Sequence, residues 1–211
     1  MEYKSTDLAL TPIPYKDFLA HDSNDIAEKF RQVIQTEGPV VDDFLELKVL
    51  KSYEIFQRGS QIAPFLRGIL LSLGAVTTTQ IDCDKATHLV FWPENFRGHE
   101  HEIESLGCAL FTDFRPSGQI YRSIMDFPQI EVFNAMKAQL LDGKPVKKAE
   151  LLDMTNHALG FQVKGRQIRL TLEKVLKAGI ENGTFVYNRR AGLIRLRQES
   201  HSKKITNNEQ K

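Results

Sequence analysis

The chain matches itself at one displacement. Shifted by 106 residues, Pro39 falls on Pro145, Val40 on Val146, Leu45 on Leu151, Gly59 on Gly165 and Gln61 on Gln167. Ile62 then falls on Ile168, Leu66 on Leu172, Ile69 on Val175 and Leu70 on Leu176, and no gap is needed from Pro39 to Leu70. Upstream, Ile26 meets Val132, Phe30 meets Met136 and Ile34 meets Leu140. Matches that land on apolar and glycine positions at a single offset mark two copies of one supersecondary unit. Whatever the fold is, that unit must form it twice.

Each copy reads alike. An amphipathic helix comes first, with Ile26, Phe30, Val33 and Ile34 at helical spacing in one copy and Val132, Met136 and Leu140 in the other. Pro39 and Pro145 end it, because a residue before proline is pushed out of the helical region. A second helix is predicted over Asp42 to Tyr53 and over Lys147 to Leu159, the latter stopped by Gly160. A third starts near Gly59 or Gly165, and in the second copy carries the stripe Ile168, Leu172, Val175, Leu176, Ile180. Two β-rich runs then flank a turn: Ala75–Ile81 and Thr87–Trp92 around Asp82 to Lys85, and Thr184–Tyr187 and Leu193–Arg197 around Asn188 to Gly192. Three helices and a hairpin form the winged-helix arrangement, a relative of helix-turn-helix. The expected fold is mainly α with small β-hairpins (α+β), as two tandem winged-helix-like domains. The divisions are an extended N-terminal arm at 1–22, the first repeat at 23–93, a connector at 94–126, the second repeat at 127–197 and a disordered polar tail at 198–211. The connector holds one strand candidate, Cys108 to Phe114, and Trp92 is expected to anchor the first core.

Three stretches, Thr36-Glu37-Gly38-Pro39-Val40, Phe56-Gln57-Arg58-Gly59-Ser60-Gln61-Ile62 and Phe91-Trp92-Pro93, together with Ala158-Leu159-Gly160-Phe161 and Gly165-Arg166-Gln167-Ile168, carry a resemblance. They resemble a domain of unknown function at the C-terminal end of large bacterial superfamily I helicase proteins. The resemblance covers about residues 25–197 and rests on packing and turn positions. It implies a tandem winged-helix-like accessory module tied to DNA processing, and it carries no catalytic residues. The chain has no G-x-x-x-x-G-K-[ST] phosphate loop, so any helicase motor would be another polypeptide, and a helicase or nuclease is the expected kind of DNA-processing partner.

Charge divides the two halves. Residues 1–100 hold ten Lys/Arg and fifteen Asp/Glu, whereas residues 101–211 hold eighteen and twelve. Such a split points to a polyanion bound by the basic half, or to protein contacts and self-association between the halves. From 164 to 204 there are eleven Lys/Arg against three Asp/Glu. The expected nucleic-acid-binding residues lie there: Lys164, Arg166, Arg169, Lys174 and Lys177 around the third helix, and Arg189, Arg190, Arg195 and Arg197 on the wing. In this arrangement the third helix enters the major groove of duplex DNA and the wing touches its backbone. The first copy offers Arg58, Gln61 and Arg67, but its wing tip carries Asp82 and Asp84, which phosphate repels. Lys147 and Lys148 open the second helix of copy two, against the helix dipole. Gln61 and Gln167 share a repeat position and are expected to serve the fold.

Enzyme readings are weaker. His99-Glu100-His101-Glu102 could present metal ligands on one side of a strand, but no H-E-x-x-H is present. Cys108 has no nucleophile elbow about it, and Asp113 lacks the second carboxylate and lysine of a nuclease site. The expectation is a non-enzymatic protein with no cofactor. Cys83 and Cys108 lie too far apart in sequence for a C-x-x-C pair, which suits a reducing cytoplasm. The opening residues lack a secretory pattern, and no run approaches the roughly 20 apolar residues of a membrane span.

Overall fold

The computed structural model describes residues 5–117 and 122–197. In the first repeat, α1 (Ser23–Glu37) leads to β1 (Val40–Val41), α2 (Asp42–Lys51), α3 (Ile62–Ser72), β2 (Val76–Ile81) and β3 (Thr87–Trp92). A short α4 (Glu100–Ile103) lies in the connector. The second repeat has α5 (Gln129–Ala138), β4 (Val146–Lys147), α6 (Lys148–Ala158), α7 (Arg166–Glu181), β5 (Phe185–Asn188) and β6 (Leu193–Leu196). The chain is α+β, with helices packed on two small antiparallel three-stranded sheets.

The internal match is structural. The starts of α5, β4 and α6 each lie 106 residues after those of α1, β1 and α2. Both sheets place the short first strand beside the last: β1-β3-β2 and β4-β6-β5. The matched positions Ile26/Val132, Phe30/Met136, Ile34/Leu140, Leu45/Leu151, Leu66/Leu172 and Leu70/Leu176 are all buried. Beyond the third helix the offset drifts. Helix α7 has 16 residues where α3 has 11, and the second hairpin is shorter. Val40 therefore faces Phe91, whereas Val146 faces Ile194, three residues short of the repeat.

Four sequence expectations change. The sheets have three strands, not two, because Val40–Val41 and Val146–Lys147 pair with the hairpins. A strand of two residues carries no periodic signal. The segment Cys108 to Phe114 is irregular. Its carbonyls at Phe111 and Asp113 accept from the Asn134 side chain (3.0 and 2.9 Å), so a side chain takes the place of a ladder. The arm is extended only to Pro14; a 3-10 turn at Tyr15–Ala20 then inserts Phe18 fully into the first core, edge-on to Tyr53 at 5.3 Å. Trp92 leaves the first core for a third cluster with Val41, Val76, Ile103 and Ile130, which joins the two repeats. Its indole Nε1 donates to Thr78 Oγ1 at 2.9 Å. The polar tail expected at 198–211 lies outside the described residues.

The repeats meet across a buried ion cluster. Glu131 on α5 has no exposed surface and accepts from both Arg115 and Arg122. Burial alone would raise the Glu131 carboxyl, but the two guanidinium charges and their hydrogen bonds hold it below the usual range. Arg115 also donates to the carbonyls of Glu37 and Pro39, where α1 ends. The Arg122 guanidinium lies 3.9 Å over the Phe127 ring.

Helix endings repeat too. Gly160 follows α6 with φ +88, and Glu54, 106 residues earlier, follows α2 with φ +60. A side chain in left-handed backbone costs on the order of 1–2 kcal/mol. Glu54→Gly is therefore expected to raise stability by up to about 1 kcal/mol in urea unfolding, after the added freedom of the unfolded glycine is subtracted. Glu131→Gln removes the fully buried carboxylate charge that Arg115 and Arg122 share and should cost about 3–5 kcal/mol in the same measurement.

Candidate nucleic-acid interface

The second repeat presents α7 and its hairpin with uneven charge engagement. Arg166 and Arg169 on α7, Arg189 and Arg190 at the hairpin turn, and Arg195 on β6 are all exposed. Among the described residues none of these five pairs with a carboxylate. The remaining expected residues are engaged. Lys164 Nζ lies 2.7 Å from Asp153, and Lys177 lies 3.7 Å from Glu181. Arg197 donates its backbone N–H to Thr184 O (2.9 Å), and its guanidinium covers Gly183.

Lys174 is turned away from the rest. Its Nζ donates to the carbonyls of Ile81 (2.6 Å) and Asp82 (3.0 Å) at the tip of the first hairpin. Gln167 Nε2 reaches Asp84 at 3.4 Å, so this glutamine does serve a contact between repeats. The acidic tip of the first hairpin therefore lies along one flank of α7. Arg166, Arg169, Glu173 and Lys177 remain on the open side.

The matched helices of the first repeat have opposite polarity. Asp42 pairs with Arg67, and 106 residues later Lys148 pairs with Glu173 at 3.6 Å. One helix-to-helix ion pair occurs in both repeats with its signs exchanged. Lys148 at the start of α6 is thus answered by Glu173 despite the unfavourable dipole. In the first repeat, Arg58 in the loop before α3 joins both Asp43 and Glu46, so both it and Arg67 on α3 are engaged. The equivalents of Asp43 and Glu46 are Ala149 and Leu152, which supply no such partners.

Asp42, Asp43 and His88 form the one group among the described residues whose His, Cys or carboxylate atoms gather within 4.8 Å. Arg67 and Arg58 already occupy its carboxylates. His88 bridges Asp42 (3.3 Å) and Asp82 (3.2 Å), tying the hairpin to α2. The His99 side chain, at the start of α4, pairs with Glu102 (2.9 Å); His101 is exposed, and among the described residues neither gathers with Cys108 or His88 into a ligand group. The strand geometry expected for that histidine pair is absent, because Glu100–Ile103 is helical.

No family model matches the chain, and neither a curated protein nor a solved structure matches it. No helix among the described residues is long and apolar enough to cross a membrane.

Burial pushes the His88 imidazole down, but the hydrogen bond to Asp82 and the charges of Asp42 and Asp43 outweigh it and lift it above the ordinary 6.5. A raised histidine contributes stability that is complete below its unfolded value and is lost as pH rises through the folded one. Unfolding free energy should fall as pH rises above the ordinary histidine value of 6.5, and His88→Gln should flatten that slope in urea titrations at each pH.

Proposed function

We propose that this chain is a non-enzymatic nucleic-acid-binding module that contacts duplex DNA mainly through α7 and the hairpin of the second repeat. On this reading each repeat is a winged-helix-like domain. The first spans 23–93 and the second 127–197, and 94–126 connects them. The order helix, short strand, two helices and hairpin supports this, as does the short strand lying beside the final one in each sheet. The observation that carries the reading is the set of five exposed arginines that have no carboxylate partner among the described residues, Arg166, Arg169, Arg189, Arg190 and Arg195. Unpaired guanidiniums on a helix and an adjacent turn suit a phosphate backbone, and Arg also reads guanine edges in pairs of hydrogen bonds. Lys164, Lys177 and Arg197 extend the patch; Lys174, held by the first hairpin, borders it. A helicase or nuclease on a separate chain is the partner proposed for a module of this kind, acting in the cytoplasm.

A second reading is a protein-interaction module in which the acidic first half and basic second half meet partners or each other. The bonds of Lys174 and Gln167 to the first hairpin tip favour it, since an acidic tip and a basic helix meet there within one chain.

Fluorescence anisotropy with a labelled duplex across a salt series separates the two. The DNA reading expects affinity to fall steeply with salt. Replacing Arg166, Arg169, Arg189 and Arg190 together by Ala should reduce the log–log salt slope by about one for each phosphate that is no longer neutralised. Absence of duplex binding at low salt, with salt-sensitive self-association by light scattering, would favour the interaction module.

A further inference from the structure

A groove of about 630 Å³ runs between α7 and the second hairpin. Its floor is apolar: Leu176 and Ile194 are buried, and Ile180 and Tyr187 are half-buried. Its rim carries Lys148, Lys177 and Arg189. Duplex phosphates match the rim but leave such a floor uncovered. The flat face of an unpaired base is apolar, stacks on an aromatic ring, and is joined to the phosphate that the rim attracts. The volume falls within the roughly 300–1,000 Å³ typical of small-ligand clefts.

Resting on the nucleic-acid reading above, we propose that this groove takes an unpaired nucleotide at a duplex end or junction, its base stacked on Tyr187 and its phosphate held by Lys177 and Arg189. Tyr187 is placed for this by the register of the hairpin. It pairs with Ile194 on the sheet face turned toward α7, and the two side chains make adjoining parts of the floor. In the first hairpin the residue at the matching register, opposite Phe91, which itself pairs with Val40, is Thr77, so the first repeat offers no ring there. Two carboxylates also border the groove. Glu173 lies 3.6 Å from Lys148 and Glu181 lies 3.7 Å from Lys177. Exposed pairs of this kind hold weakly, so the lysines are available to a phosphate. Arg189 has no carboxylate partner among the described residues and adds the positive charge that tips the rim toward an anion.

The test uses the full chain and two probes: a blunt labelled duplex, and the same duplex with a short single-stranded overhang carrying 2-aminopurine at its first unpaired position. Wild type should bind the overhang probe about tenfold more tightly than the blunt one, and should change the 2-aminopurine emission. Tyr187→Ala should abolish that preference and the emission change while leaving blunt-duplex affinity within about twofold. Tyr187→Phe should keep both, because the ring and not the hydroxyl is used, and it also controls for folding. Equal affinity for the two probes in wild type, or equal losses on both with Tyr187→Ala, would overturn the groove assignment yet leave duplex binding intact. Failure to bind either probe at low salt would overturn the nucleic-acid reading itself.

Discussion

The arrangement of the two repeats depends on one carboxylate. Glu131 is buried completely, and a lone ionised carboxyl in that position would be prohibitively costly to desolvate. Arg115 and Arg122 make its burial tolerable, and both come from the connector, so the connector is folded into the seam. Arg115 reaches the end of α1 in one repeat while it holds α5 of the other. The seam is completed by Trp92, Val41 and Ile130 from both repeats. Once these groups are fixed, the first hairpin tip has one place to lie, against the flank of α7.

That placement goes with a difference in charge between two copies of one unit. The Asp42–Arg67 and Lys148–Glu173 pairs link helices two and three at the same place in both repeats, so exchanging their signs redistributes charge at a matched position. Around Asp42 the first repeat adds Asp43, Glu46 and His88, and its arginines turn inward. The second repeat has Ala149 and Leu152 at the matched places, and its arginines point to solvent. A polyanion laid on α7 meets Asp84 on one flank and arginines on the other, so its line of approach is one-sided.

Much of this was legible in the sequence, for identifiable reasons. The repeat showed because core positions such as Leu45/Leu151 and Leu66/Leu172 keep their character under dense packing. The helices and hairpins followed from period and turn chemistry. The seam was not legible: no periodicity or motif singles out Glu131, Asn134, Arg115 or Arg122, and only long-range geometry gives them partners. The strand expected at Cys108 to Phe114 failed for the same reason, since a pattern of apolar residues does not reveal that Asn134 satisfies the backbone there. Among the basic residues, sequence could not separate Lys174, which grips the other repeat, from Arg169, which does not.

Several of the bonds that join distant segments share a grammar. Arg115 donates to the carbonyls of Glu37 and Pro39, Lys174 to those of Ile81 and Asp82, Asn134 to those of Phe111 and Asp113, and Asn182 to that of Leu106. In each case a side chain on one segment reads the main chain of another. A peptide carbonyl is presented by every residue type, so these bonds by themselves do not fix the side chains of the accepting segments. The donors have no such latitude. Mutational tolerance across these junctions should accordingly be lopsided, with the burden of specificity carried by four donor side chains, two cationic and two amide.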